Sequence, residues 1–383
     1  MTSIPYGRHS IDEADIEAVV NVLRSDWLTT GPEVACLESA LADYCGAVHV
    51  VAINSGTAAL HCAMHAAGIG PGDEVIVPAL TFAATANAVL YAQGLPVFAD
   101  VDADSLLVDP ADVARKITPR TKAIVAVDYA GQACDYAALR DLAQAHDLIL
   151  IADACHSFGG QFRGQNVGRL ADLTCCSMHP VKPITSGEGG FVATHSEVFA
   201  EQMRAFRNHG IDSDFRQREA AGRWKYAMTE LGFNYRLSDL QCALARSQLK
   251  KLDQWIAARR HWARQYDLRL ASLDFVQPLS RRATEEHAFH LYVVRWKESL
   301  VGVNRDAALA ALRGLGIGAN VHYLPVYLHP YYQGLGYPEG LCPAAEHTYG
   351  EIISLPIFPG MTEAMLDEVV TGLRGCANRS QAA

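Results

Sequence analysis

The chain has 383 residues, 50% hydrophobic and 19% charged, which is enough apolar material for one large globular domain with a smaller companion. Acidic residues outnumber basic ones 42 to 32, for a formal charge of -10, and no Lys/Arg-rich run occurs, so nucleic acid is excluded as an expected partner. Ten cysteines without a repeating spacing, and acids where a leader's apolar core would stand, point to a reducing, cytoplasmic setting.

Ser10 and Glu13 stand in capping-box spacing, and Ile16, Val19, Val20 and Leu23 follow on one face, so the first helix is predicted to start there. From "VHVVAIN" (48–54) the pattern becomes α/β, with a helix from about Thr57. The span 75–99 has no Asp, Glu, Lys or Arg over a length that could cross a bilayer. Pro78, Thr81, Thr85, Asn87, Gln93, Gly94 and Pro96 interrupt it, however, and divide it into strand "EVIVPA", helix "TANAVLYAQG" and strand "PVFADV". A buried α/β core is therefore expected, with no membrane contact.

Strand "AIVAVDY" (123–129), a helix near Tyr136 to His146 and strand "LILIAD" (148–153) continue the alternation. Such a series predicts a mostly parallel sheet wrapped by helices. The charged segment Gly210 to Lys225 reads as a loop or lid. From Ser238 a long helical stretch leads to a shorter α/β tail, which places a large domain over 1–240 and a smaller C-terminal α/β domain over 241–383.

Ligands of open α/β sheets gather at the carboxyl ends of strands. After "VHVVAIN" comes "SGTAAL", where small residues open a helix and leave N–H groups facing outward, a phosphate site by geometry and equally a common N-cap. After "LILIA" comes Asp153, which either caps the next turn or holds a pyridine nitrogen protonated. In "SMHPVKPITSGEGG" Lys182 falls between an apolar strand and a glycine-rich turn. A lone loop lysine is commonly a solvated charge; a buried one must be paired or neutralised, and bonding to a cofactor aldehyde achieves that. Cys175 and Cys176 beside His179 suggest no metal, because adjacent strand residues point to opposite faces. Taken together, the lysine, the carboxylate and the cradle at Gly56 and Thr57 describe a pyridoxal 5'-phosphate (PLP) site.

The ordered segments "NSGTAAL", "PALTFAATANAVL", "DVDADSLLVD", "DACHSFGG", "SMHPVKPITSGEGG", "RNHG" and "LGFNYRLSDLQCAL" resemble the DegT/StrS family of sugar-nucleotide aminotransferases. The resemblance covers nearly the whole chain and implies an aspartate-aminotransferase-like fold (PLP fold type I). It implies that Lys182 carries the cofactor, Asp153 holds the ring nitrogen and Phe82 stacks on the ring. His156 then lies near the phenolic oxygen, and Ser177 joins Gly56 and Thr57 at the phosphate. Asn234 reaches the phosphate of the neighbouring subunit, so a homodimer with shared active sites is expected. Tyr6, Thr29, Arg207, Arg223, His322 and Tyr323 are the candidates for holding the sugar nucleotide.

The implied reaction moves the amino group of L-glutamate to a keto-sugar nucleotide, with Lys182 as the proton carrier. "VDYAGQ", "VKPIT", "GFNYRLSDLQ" and "ISLP" most resemble the members of pseudaminic acid biosynthesis, which aminate C4 of a UDP-linked 4-keto-6-deoxy-N-acetylhexosamine. Amination at C3, a dTDP sugar, or a non-catalytic PLP-binding regulator are the alternatives. A dehydratase of the same family would carry histidine in place of Lys182.

Overall fold

The computed structural model describes residues 3–213, 218, 222, 224–283 and 286–378. Seven strands make the central sheet: β1 (His49–Ile53), β2 (Glu74–Pro78), β3 (Leu95–Ala99), β4 (Thr121–Val127), β5 (Ile149–Asp153), β8 (Leu173–Ser177) and β9 (Gly190–Thr194). Their spatial order is β1-β9-β8-β5-β4-β2-β3. The pairs from β8 through β3 are parallel, and β9 runs antiparallel to both β8 and β1. Strands β2, β8 and β9 are buried at every position, as their unbroken apolar texture requires when helices cover both faces. The omitted numbers, β6 (Gln161–Phe162) and β7 (Gln165–Asn166), form a short hairpin.

Helix α1 (Glu13–Leu23) departs from expectation at its start and on its face. Its cap is Asp12, which exchanges hydrogen bonds with Asp15, each 3.1 Å, so Ser10 and Glu13 do not form the box. Asp15, fully buried, also meets the Gln248 amide at 2.6 Å and the Lys251 ammonium at 2.7 Å, and these bonds turn it inward. Ile16 and Leu23, on the face expected to be buried, are consequently exposed. The long helical stretch after Ser238 is two helices, Asp239–Leu249 and Leu252–Leu270.

The order of helices along the first half is α2 (Pro32–Cys45), α3 (Gly56–Ala66), α4 (Ala83–Tyr91), α5 (Pro110–Lys116), α6 (Tyr136–Ala145) and α7 (Glu197–Phe206). Their largest apolar cluster encloses the seven-stranded sheet. A second cluster, with Tyr266, Trp296, Leu312, Ile353 and Leu366 at its centre, fills the space between a three-stranded antiparallel sheet and its helices. That sheet has the order β10 (Val276–Pro278), β11 (Tyr292–Trp296), β12 (Ile352–Leu355). Between β11 and β12 the chain returns to the large sheet. Val326 N donates to Ala79 O at 2.9 Å, and the Tyr332 and Tyr337 hydroxyls reach Asn87 and Pro96. This return brings 320–323 over the strand ends.

Helix α2 has Gly31 at its cap and therefore no side chain of its own to satisfy its first N–H groups. Asp239 supplies one from far along the chain: its carboxylate accepts from Gly31 N at 2.8 Å and Glu33 N at 2.9 Å while it is fully buried. Replacing Asp239 by Ala should therefore strand two donors and lower the unfolding free energy by about 1–3 kcal/mol. Denaturant melts would show the loss; an unchanged midpoint would contradict this role.

Candidate active site

A cavity of about 520 Å³ opens where β5 and β8 end, α3 begins and residues 320–323 pass overhead. Ten of the residues singled out from the sequence line it: Tyr6, Gly56, Thr57, Phe82, Asp153, His156, Ser177, Lys182, His322 and Tyr323. Their convergence follows from the topology, since parallel strands deliver their carboxyl ends to one edge of the sheet.

Ser55 caps α3 by accepting from Ala58 N at 3.1 Å, which leaves the first turn facing the cavity. Only glycine fits at position 56, because a Cβ would lie 2.8 Å from Ser177 Cβ. The result is a backbone concavity flanked by the Thr57 and Ser177 hydroxyls, shaped for an anion. Phe82 stands just before α4 with its ring 59% exposed, an unusual state for a phenylalanine at a cavity wall.

Asp153 is buried and accepts from the Thr85 hydroxyl at 2.7 Å, which meets the Thr81 hydroxyl at 2.8 Å. Behind it lies a second carboxylate, Asp128, which takes hydrogen bonds from Ser157 Oγ (2.5 Å), Cys134 N (2.9 Å) and Tyr136 Oη (2.9 Å). Burial pushes the Asp128 carboxyl up to about 6 in spite of those donors. Asp128 thus fixes the turn carrying His156 and Ser157 and leaves Asp153 as the carboxylate at the cavity wall.

Lys182 lies on the turn after β8, its N–H bonded to His179 O at 2.9 Å. Its ammonium has no hydrogen-bond or ion-pair partner among the described residues, and burial lowers its pKa against the pull of Asp153. The rings around it are neutral for the same reason. Burial, then the Lys182 charge, pushes His156 well below the usual histidine value and His322 down to about 4. His156 Nε2 lies 3.0 Å from the Tyr323 hydroxyl, and His322 Nδ1 lies 2.8 Å from Ser354 Oγ of β12.

Four candidates stand apart from these. Arg207 is a correction: its guanidinium is committed to Glu38 Oε1 (2.5 Å) and Ala52 O (2.6 Å), while the same Glu38 oxygen accepts from Ala52 N at 3.0 Å. Strand β1 is an edge strand, and this ion pair satisfies both outward groups of Ala52, which holds Arg207 at the strand edge and off the cavity lining. Thr29 is exposed and bridges to Ser238, away from the cavity of its own chain. Asn234 is exposed, with Asn54 Nδ2 on its carbonyl at 3.4 Å and no bond from its side chain among the described residues. Arg223, with much of the 210–225 loop, lies outside the described residues.

Sequence reasoning missed Thr85, Thr81, Glu188 and His290. The two threonines, four apart in an otherwise apolar helix start, were the one legible signal. Among the described residues no group of three His, Cys, Asp or Glu is placed to hold a metal, and no disulfide links any of the ten cysteines. Cys175 Sγ turns toward Ala59 and Cys176 Sγ toward Ala154, on opposite sides of β8. No helix among the described residues is long and apolar enough to cross a membrane.

PLP fits these residues: the Gly56 concavity is one a Cβ would fill, and the unpartnered ammonium and buried carboxylate suit its aldehyde and ring nitrogen. Fold and site define a PLP-dependent aminotransferase. Residues 9–374 match the model of the DegT/DnrJ/EryC1/StrS aminotransferase family, and the chain belongs to that family; its cofactor is PLP and its substrate class is sugars. It is 38% identical over 374 residues to the spore coat polysaccharide biosynthesis protein SpsC of Bacillus subtilis (strain 168), covering 97% of this chain and 96% of SpsC. Among solved structures it is similar to Helicobacter pylori PseC, an aminotransferase involved in the biosynthesis of pseudaminic acid, with TM-score 0.92, 30% identity and coverage of 99% and 100% of the two chains. Spr1654 of Streptococcus pneumoniae in its PLP form gives TM-score 0.91 and 29% identity, with 99% of each chain covered.

Two outcomes are expected from this geometry. Arg207→Met should lower the unfolding free energy by about 1.5–3 kcal/mol and leave the KM for a sugar acceptor unchanged; a raised KM with unchanged stability would contradict the edge-strand role. Second, stability should fall as pH drops from about 6.5 toward 4, because unfolded histidines take protons there that buried His322 and His156 refuse. Thermal melts across that range would read this, and a flat midpoint would contradict it.

Proposed function

We propose that the protein transfers the amino group of L-glutamate to C4 of a UDP-linked 4-keto-6-deoxy-N-acetylhexosamine. The similarity to PseC across essentially the full length of both chains carries this reading. SpsC, named for polysaccharide biosynthesis, supports the broader sugar class. The two apolar clusters support a large cofactor domain and a smaller C-terminal one, with the first cluster running on to Ile256 and the second taking over from Ala263, and with the segment around 326–345 returning to the large domain.

Bound PLP supplies an electron sink that lets a proton leave the carbon bearing the amino group. The chain's residues do the remainder. Lys182, its pKa lowered by burial, is the amine the chain places to accept and return that proton. Asp153, oriented by Thr85, holds the positive charge at the ring nitrogen, while Gly56, Thr57 and Ser177 hold the phosphate. Phe82 and His156 border the ring. Tyr6, His322 and Tyr323 face the space left for the sugar, where neutral histidines offer hydrogen bonds without competing for the proton.

Asn234 would complete the site of a second copy. Its segment carries four exposed large apolar residues within eight positions, Trp224, Tyr226, Met228 and Leu231, which supports burial of this segment against a second copy. In this reading Asn234 joins the partner's phosphate cradle, and each site is shared in a homodimer.

The test is product analysis with a set of keto-sugar nucleotides and L-glutamate, combined with subunit mixing. An amine at C4 of the UDP sugar is expected, and mixing Lys182→Ala with Asn234→Ala chains should restore part of the activity that each lacks alone. An amine at C3, or preference for a dTDP sugar, would overturn the substrate; no recovery on mixing, or a fully active monomer, would overturn the shared site.

A further inference from the structure

His290 plays no part in the reaction as described, yet it lines the cavity. It reaches there from the small sheet, two residues before β11, because Gly131 lets the backbone of that segment close onto the large domain. Gly131 has φ +105°, and a Cβ on it would fall 2.8 Å from Phe289 N, 2.9 Å from His156 O and 3.0 Å from His290 N. Ala288 N donates to Gly131 O at 2.9 Å and Leu291 N to Ala130 O at 3.1 Å, which locks the segment on both sides of His290.

The consequence is a pair of imidazoles in contact. The rings of His156 and His290 have centroids 4.4 Å apart and planes at 41°, and each residue is 5% exposed. The Nδ1 atom of each is buried and has no hydrogen-bond partner. Both rings are neutral, held so first by burial and then by the Lys182 charge, so each has one N–H and one lone pair. Buried polar atoms are rarely left unpaired; the tilted packing of these rings makes no direct N–H···N bond, but one water against both Nδ1 atoms can join the two complementary orphans.

We propose that His290 is a positioning residue whose Nδ1–H, relayed by one water, serves the Nδ1 lone pair of His156, a proposal that rests on the amino-transfer reading above. With Nδ1 of His156 an acceptor, its Nε2 carries the hydrogen and donates to the Tyr323 oxygen 3.0 Å away. Burial and nearby anionic groups keep Tyr323 protonated, so its own O–H is then free to point into the cavity. That polarity suits the ligands of this reaction, because a keto sugar, a carboxylate and a phosphate all present acceptors. The tautomer of a ring delivered by the small domain thereby sets the direction of a hydroxyl at the reacting end of the site.

The geometry gives a specific set of variants. Asparagine places its amide where histidine has Nδ1, whereas glutamine places it where histidine has Nε2. His290→Asn should therefore keep most of the rate, while His290→Gln and His290→Leu should lose about 10- to 100-fold in kcat with the acceptor KM little changed. Nitrogen-15 NMR of the histidine-labelled full chain, with and without PLP, gives a readout independent of turnover. His156, assigned by its loss in His156→Gln, should show a single tautomer with Nε2 protonated in the wild type and in His290→Asn, and a mixture in His290→Leu. A His156 spectrum identical in wild type and His290→Leu, or an Asn variant as slow as the Leu variant, would overturn the proposal. Should the wild type transfer no amino group at all, the functional reading falls, while the NMR still decides whether His290 sets the tautomer of His156.

Discussion

The architecture turns on the Lys182 ammonium, which has no counterion at bonding distance among the described residues. Lys182 sits on a turn fixed by the backbone of its own loop, with no ion-pair partner among the described residues and with neutral imidazoles in the cavity it faces. Partial burial in the cavity wall disfavours the charged form, and the lowered pKa expresses that cost. A structural lysine would have been given a carboxylate at bonding distance. Here Asp153 lies in the same cavity but is tied to Thr85, so it lends long-range attraction without capturing the lysine. The arrangement keeps an amine available for covalent bonding and proton transfer, the property the chemistry of this family requires.

The rest of the fold keeps that cavity in shape. Edge strand β1 must hold the end that leads into the Gly56 turn at the cavity, and the Glu38–Arg207 pair closes its open side at Ala52. The return of the chain between β11 and β12 carries His322 and Tyr323 over the strand ends, and Ser354 in the small sheet orients His322. Both apolar clusters therefore contribute to one site. Movement of one against the other would be felt first by His322, Tyr323 and His290.

The sheet and its ligand edge were legible in the sequence because buried parallel strands read as unbroken apolar runs, and the residues just after them have few reasons to be polar other than ligand binding. Gly56, Asp153 and Lys182 stood out on that ground. Arg207 was misread because its partners, Glu38 and the backbone of Ala52, are 169 and 155 residues away along the chain, and a cation near a loop looks free when only sequence is seen. Ser10 was misread as the cap of α1 because Asp12 and Asp15 offer the same chemistry two residues on. His290 was invisible for a different reason: its position depends on Gly131, a contact across domains that no local pattern encodes.

The claim that Lys182 is the cofactor's covalent anchor can be tested on the purified protein. Reduction with borohydride after loading with PLP, followed by peptide mapping, should place the label on the peptide that contains Lys182 and on no other. A label on a different lysine, or none from a protein that still binds PLP, would contradict the account.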